Sequence, residues 1–125
     1  MSVRVLFVET DAVLVELLSQ WVKAQGMEVV ACVDTEEKAL QACEAHKPNL
    51  AFVALKVLPT SALELVQKMK ASLPSLQIIV SSFWALKEEV KEAKLWGAQA
   101  GFSRPPSPEE FQYALAACGG LQAGA

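Results

Sequence analysis

The sequence is poor in charged residues, cysteine and histidine. Charged residues make up 20% of the 125 residues and hydrophobic residues 53%. This composition excludes an intrinsically disordered chain, because disorder requires low hydrophobicity and high net charge. The 3 cysteines are odd in number and widely spaced, so we expect no disulfide framework and a reducing, cytoplasmic location. The formal net charge of −3 offers no positive surface, so no nucleic-acid partner is expected.

The sequence also lacks long apolar runs and glycine-rich loops. Its apolar runs are far shorter than the roughly 20 residues that span a bilayer, so no membrane association is expected. The N-terminus passes directly into a strand-like run, which does not predict a signal peptide. Gly26, Gly97 and Gly101 fit neither GxGxxG nor a P-loop, so no glycine motif indicates a nucleotide or flavin site.

What the chain does contain is an alternation of apolar blocks, typical of strands, with amphipathic blocks, typical of helices. The block at 50–55 has no polar alternation, which is typical of a parallel strand covered on both faces. The pattern predicts one α/β domain with a doubly wound, five-stranded parallel sheet and five helices. We expect strands over 3–8, 28–33, 50–55, 77–82 and 100–103, a domain over 1–118 and a flexible tail over 119–125.

Capping residues mark several of the predicted helix ends. Asp11 is expected to cap the first helix, and Gly26 stands where a left-handed residue would end it. The spacing of a capping box starts the second helix at Asp34 and the fifth helix at Ser107. These positions place the helices between the strands and fix the boundaries of the predicted elements.

Nucleophilic and metal chemistry have little support in the sequence. Ser82 has no base, because the single histidine, His46, precedes the third strand and therefore lies at the opposite end of the sheet. Cys32 and Cys43 are expected to be buried core residues, and Cys118, near the tail, is expected to be exposed. No cysteine pair has the spacing of a metal site, so no metal centre is expected.

In a doubly wound sheet the working site lies at the carboxyl ends of the strands. Short segments at and around these ends match a known family in order and spacing: VLFVETD at 5–11, PNLAFVAL at 48–55, LELV at 63–66, IIVSS at 78–82, WGA at 96–98 and SRPPSPEE at 103–110. Over residues 3–117 the chain resembles a response-regulator receiver domain. This resemblance implies a flavodoxin-like sheet with strand order 2-1-3-4-5 and a role in two-component signal transduction and phosphorelay.

The resemblance implies a fixed set of groups in a working receiver. Two acids after strand one and an Asp on strand three hold Mg²⁺, and that Asp accepts the phosphoryl group. In this chain Glu9 keeps the first acid, Thr10 replaces the second, and Ala54 takes the position of the phosphoacceptor. The only two aspartates are Asp11 and Asp34, and 50–59 contains no carboxylate, so no shift of register supplies one. We therefore expect a degenerate phosphorylation site, no tight Mg²⁺ binding and no cofactor.

Other family positions are also altered. Ser82 keeps the hydroxyl that follows strand four, but the bulky Phe83 stands where a small residue is usual. Arg104 replaces the lysine after strand five, and Gly101 stands where the family often has its switching aromatic residue. Glu9 either pairs with Arg104 across the former pocket or is a solvated carboxylate at the strand end.

The apolar residues after strand four have two interpretations. Phe83 and Trp84 either fold back into the vacated phosphate pocket or form an exposed patch for a partner, and both hold if Phe83 fills the pocket while Trp84 makes the contact. Leu95 and Trp96, at the far end of the following helix, are assigned to the same partner surface, together with Gly101.

Two functions follow from these observations. The first is a receiver-like protein-interaction module without enzymatic activity or phosphorylation, which binds a signalling protein or a second copy through helix four, strand five and helix five. The second is a flavodoxin-like domain that binds a small ligand or an anion in the strand-end crevice. Ser82 and Arg104 would hold the anion there, and Glu9 and Thr10 would line the crevice.

Overall fold

The computed structural model describes residues 3–55, 62–82, 87–103 and 105–119. Within them strands and helices alternate as the sequence predicts. The elements are β1 (Arg4–Val8), α1 (Ala12–Ala24), β2 (Glu28–Val33), α2 (Glu36–His46), β3 (Leu50–Ala54), α3 (Ala62–Ser72), β4 (Gln77–Ser82), α4 (Lys87–Leu95), β5 (Ala100–Ser103) and α5 (Pro108–Ala116). The predicted start of the third helix at 60–61 lies outside the described residues, as do residues 120–125 of the predicted tail.

The strands form one parallel sheet with the order β2-β1-β3-β4-β5, which confirms the predicted α/β architecture and strand order. Strand β3 lies at the centre and is buried at every position, as its unbroken apolar sequence predicts. Strands β2 and β5 are the two edges. The parallel arrangement brings the carboxyl ends of all the strands to one side of the sheet.

Each face of the sheet is covered by its own apolar core. The first core packs α2, α3 and α4 against the sheet and includes Leu6, Val53, Leu65, Met69 and Ile78. The second core packs α1 and α5 against the other face and is rich in aromatic rings. In this second core the ring centroid of Phe52 lies 5.3 Å from that of Phe7 and 5.8 Å from that of Phe111.

The helix starts confirm some of the predicted caps and correct one. Asp11 caps α1, and its Oδ1 accepts hydrogen bonds from the amides of Val13 and Leu14. Helix α2 is capped by Thr35, not by Asp34, since Thr35 has the extended backbone of a cap residue and its Oγ1 accepts from the amide of Lys38 at 3.2 Å. The helix therefore begins one residue later than the predicted capping box requires.

Helix α5 begins at the predicted capping box. The Ser107 hydroxyl accepts from the Glu110 amide, the Glu110 side chain accepts from the Ser107 amide, and Pro108 follows in the first turn. Helix α1 ends before Gly26, which has a φ of +81° and so confirms the predicted left-handed residue.

Two of the three cysteines differ from the prediction. Cys32 is exposed, because β2 is an edge strand with only partial cover, whereas Cys118 is buried in the second core. Burial raises the pKa of the Cys118 thiol to about 11. Cys43 is buried as predicted. In the part of the chain that the structure describes, none of the helices has the length and apolar character needed to cross a lipid bilayer.

Candidate functional site

Several of the residues predicted for the site lie next to one another at the carboxyl ends of the strands. Val8 of β1 is level with Val53 of β3, so Glu9 and Ala54 are the next residues along two neighbouring strands. Ala54 is paired with Ser81 of β4, and Ser82 is paired with Ser103 of β5. The fold thus places Glu9, Ala54 and Ser82 at the carboxyl ends of the neighbouring strands β1, β3 and β4.

Glu9 is buried against its own backbone. Its side chain is only 7% exposed, and its Oε2 accepts hydrogen bonds from the amides of Thr10 at 2.8 Å and Asp11 at 3.0 Å. The Glu9 amide in turn donates to the Val33 carbonyl of β2 at 2.9 Å. The alternative of a solvated carboxylate is therefore wrong, because the carboxylate is buried and accepts from the two amides that lead into α1. The other alternative, an ion pair with Arg104, lies outside the described residues.

Asp11, the second carboxylate near the carboxyl end of β1, also accepts hydrogen bonds from backbone amides. Asp11 Oδ1 lies 3.0 Å from the Val13 amide and 3.2 Å from the Leu14 amide, as the cap of α1. Thr10, between the two acids, is exposed. Both acids after β1 thus accept hydrogen bonds from the first turn of α1 and the residues that lead into it.

The phosphoacceptor position carries a buried methyl group. Ala54 is 2% exposed and belongs to the core that packs against α2, α3 and α4. The next residue, Leu55, donates its amide to the Ser81 carbonyl at 2.9 Å, so the hydrogen bonding between β3 and β4 extends one residue past Ala54. The Ala54 side chain offers no oxygen to a phosphoryl group or a cation.

The end of β4 carries two buried hydroxyl groups, those of Ser81 and Ser82. Ser82 was predicted as the retained family hydroxyl. The neighbouring positions Phe83, Trp84 and Arg104 lie outside the described residues, so the two interpretations of the segment after β4 both stay predictions. Throughout the described ranges, no three His, Cys, Asp or Glu side chains are grouped so that they could hold a metal ion.

A surface groove of about 490 Å³ begins beside Glu9 and runs between α1 and the edge strand β2. Glu16 and Lys23 of α1 border one side, and Cys32 and Asp34 border the other. Partial burial and the charges of Glu9 and Asp34 raise the pKa of the Cys32 thiol above its usual value of 9.0. The thiol is therefore protonated at neutral pH, and the groove holds no activated nucleophile among the described residues.

Exposed apolar side chains lie on both helices that flank β5. Leu95, the last residue of α4, is 86% exposed, and Tyr113 of α5 is 81% exposed. Trp96 is only partly exposed and packs against the first core, so less of its ring faces solvent than that of Tyr113. Gly101 lies in β5, where it pairs with Val80. Leu95 was assigned to the partner surface from the sequence, but Tyr113 was not, since the apolar pattern of α5 identifies only the buried side of the helix.

The family model of the response regulator receiver domain matches residues 5–116. The chain therefore belongs to the response regulator receiver domain family, and the resemblance inferred from the strand ends is confirmed. It is a receiver domain of signal transduction. A comparison with curated proteins found no match.

Solved structures share this fold. A two-component response regulator of the LuxR family from Aurantimonas sp. SI85-9A1 is 17% identical, with a TM-score of 0.85 over 98% of this chain and 89% of that one. A CheY-like receiver domain protein from Methanospirillum hungatei JF-1 is 23% identical, with a TM-score of 0.81 over 93% and 92%. A Burkholderia pseudomallei response regulator with a phosphorylated aspartic acid, calcium and citrate is 22% identical, with a TM-score of 0.78 over 90% and 65%.

Proposed function

We propose that this receiver domain is a degenerate one that acts as a protein-interaction module without phosphorylation. The observation that carries the proposal is the buried methyl group of Ala54 at the end of β3. Transfer of a phosphoryl group to a receiver forms a bond between phosphorus and a carboxylate oxygen. Alanine has no such oxygen, and the pairing of β3 with β1 and β4 leaves no other residue of β3 at this position.

The remaining acids do not replace the missing carboxylate. Glu9 accepts hydrogen bonds from the amides of Thr10 and Asp11, and Asp11 accepts from the first turn of α1. Mg²⁺ requires a near-octahedral set of oxygen ligands. The Ala54 side chain supplies no oxygen to such a set, and one oxygen each of Glu9 and Asp11 already accepts from backbone amides. We infer that the domain holds no tightly bound Mg²⁺ and requires no cofactor.

The partner surface is proposed on α4, β5 and α5. The support is the exposure of Leu95 and Tyr113 on the helices that flank the edge strand β5. Large apolar side chains at this exposure are typical of binding surfaces when they are grouped. Trp84, outside the described residues, is kept as a proposed contact of the same surface. The partner is a signalling protein or a second copy of the chain.

We also propose that the domain has no enzymatic activity. A serine nucleophile requires a base within hydrogen-bonding reach. His46 ends α2 at the amino ends of the strands, where its carbonyl accepts from Arg4 Nε at 3.3 Å. Ser82 lies at the carboxyl end of β4, so the fold separates the only histidine from the buried hydroxyl groups.

The alternative function, an anion or small-ligand site around Ser82 and Arg104, has less support among the described residues. Ser82 is buried, and Arg104 lies outside the described residues. A thermal-shift screen with sulfate, phosphate, nucleotides and flavins separates the two functions. Stabilisation by one of these ligands would favour the alternative.

The proposed lack of phosphorylation is tested with acetyl phosphate and Mg²⁺. We expect no acid-labile phosphoryl adduct on the wild-type protein by intact-mass spectrometry. The double variant Thr10→Asp, Ala54→Asp is the positive control, since it returns carboxylates to both family positions, and we expect it to gain an adduct. An acid-labile adduct on the wild-type chain would contradict the proposal.

A further inference from the structure

Glu110 in the first turn of α5 is hydrogen-bonded to two different elements. Its Oε1 accepts from the Ser107 amide at 3.0 Å, and the Ser107 hydroxyl accepts from the Glu110 amide at 3.1 Å. This pair is the capping box of α5. The other carboxylate oxygen, Oε2, accepts from the Ser103 hydroxyl at 3.2 Å, and this contact is not part of a capping box.

The Ser103 contact joins α5 to the sheet. Ser103 is the last residue of β5 and is paired with Ser82 of β4. The connection from β5 to α5 contains Pro105 and Pro106, of which Pro106 is buried. Proline fixes its own φ and restricts the preceding residue, so this connection has few backbone conformations of its own. A single carboxylate holds both ends, through Ser103 on one side and Ser107 on the other.

We propose that Glu110 is a positioning residue that ties helix α5 to the end of strand β5 and thereby sets the geometry of the α4–β5–α5 surface. Strand β5 and α5 then move as one unit, and the exposed Tyr113 keeps a fixed position relative to the sheet edge. The effect on partner binding rests on the proposed function, whereas the tie between Ser103 and Glu110 does not.

The tie is tested by replacing Ser103 alone, since Ser103→Ala removes the hydroxyl contact with Glu110 and leaves the capping box and the backbone interaction of Ser103 in place. Ser107 and Ser103 both lower the pKa of the Glu110 carboxyl, with the Ser107 amide as the larger cause. In an NMR titration we expect Ser103→Ala to raise the pKa of Glu110 toward its usual value. Ser103→Thr keeps the hydroxyl and should restore the wild-type titration.

A double-mutant cycle gives a second readout. Unfolding in urea is measured for Ser103→Ala, Glu110→Ala and the double variant, with Glu109→Ala in place of Glu110→Ala as the matched control. We expect the effects at Ser103 and Glu110 to be coupled by about threefold in the unfolding equilibrium constant, as for one net hydrogen bond. The effects at Ser103 and Glu109 should simply multiply.

An unchanged Glu110 titration in Ser103→Ala would overturn the tie, as would a cycle without coupling. If Glu110→Ala fails to fold, the titration of Ser103→Ala still decides the question. The positioning role is tested separately by partner or self-association, which we expect Ser103→Ala to weaken and Ser103→Thr to retain. Wild-type association in Ser103→Ala would overturn the positioning role while leaving the proposed function intact. That function fails instead if replacement of Leu95 and Tyr113 leaves association unchanged.

Discussion

Glu9 and Ala54 are the next residues after a paired position on two neighbouring strands, and only Ala54 differs in residue type from the family's carboxylates. The change at Ala54 removes an oxygen atom and is visible in the sequence. Glu9 keeps the family's carboxylate, and only its hydrogen bonds to the amides of Thr10 and Asp11 show that it supports the start of α1.

Because Glu9 is buried and accepts two amide hydrogen bonds, its replacement should destabilise the fold. We expect Glu9→Ala to lower the free energy of unfolding by about 1–3 kcal/mol, since two amides lose their acceptor. Glu9→Gln keeps an acceptor oxygen and should cost less. Glu16→Ala, an exposed position on α1, is the control, and all three are measured by urea denaturation. Equal effects of Glu9→Ala and Glu16→Ala would contradict the role assigned to Glu9.

The three thiols should differ in reactivity in the native state. We expect a maleimide or disulfide reagent to label Cys32 first, because it is exposed, and to reach Cys43 and Cys118 only on unfolding. Labelling of Cys32 should increase as the pH rises, since its raised pKa leaves the thiol protonated at neutral pH. Peptide mass spectrometry at several pH values, with a urea-unfolded control, checks this order. Native labelling of Cys118 as fast as Cys32 would contradict its burial.

At the scale of the elements, the turn between α4 and β5 packs against helix α3. Gly97 has a φ of +122°, and a Cβ added there would lie 2.9 Å from Cγ of Lys70 in α3. The Lys70 stem is not free to move aside, because its Nζ donates to the carbonyls of Pro74 and Leu76 at 3.0 and 2.7 Å. The turn after α4 and the turn after α3 are therefore packed together through one lysine.

Gly97→Ala should destabilise the protein more than the same change at Gly26. The left-handed conformation of Gly26 costs an alanine about 1–2 kcal/mol, and a Cβ there would meet no atom within 4 Å, whereas the φ of +122° at Gly97 is further from the range that an alanine adopts. At Gly97 the contact with Lys70 adds a packing cost. Urea denaturation of the two variants gives the comparison, and equal losses of stability would show that Lys70 moves aside freely.

For the molecule as a whole, the sheet order places β5 at the edge opposite β2, with α4 packed on one face of the sheet and α5 on the other. Leu95 and Tyr113 expose apolar area on either side of β5, and Glu110 ties α5 to the strand between them. A domain that lacks phosphorylation chemistry can still present such a surface. The affinity of this surface for a partner would then depend on how the fold positions it rather than on a conformational change caused by phosphorylation.

Replacing Leu95 and Tyr113 with serine should weaken partner recovery or self-association by about tenfold, as expected when exposed apolar anchors are removed. Val13→Ser is the matched control, because Val13 is 80% exposed but lies on α1. Sedimentation velocity measures self-association, and quantitative mass spectrometry of captured proteins measures partner recovery. If Val13→Ser loses the same association, or the double serine variant retains it, the surface has been misplaced.

The domain boundary near residue 118, the cytoplasmic location and the absence of nucleic-acid binding stay predictions from the sequence. The positions of the strands and helices, in contrast, were tested by the structure, and the sequence predicted almost all of them. This was possible because apolar periodicity and capping residues act locally. The cap of α2 is Thr35 where Asp34 was predicted, a difference of one residue in the start of the helix. Local patterns do not specify the depth of a residue in the fold, so Cys32 and Cys118 were assigned to the wrong environments.

The sequence by itself determined the alternation of elements, the receiver resemblance and the absence of a carboxylate at Ala54, because these depend on residue type and order along the chain. Only the tertiary structure decided that Glu9 binds backbone amides, that Tyr113 is exposed and that Ser103 reaches Glu110. These contacts depend on where a side chain points once the sheet is assembled. No spacing in the sequence specifies that direction.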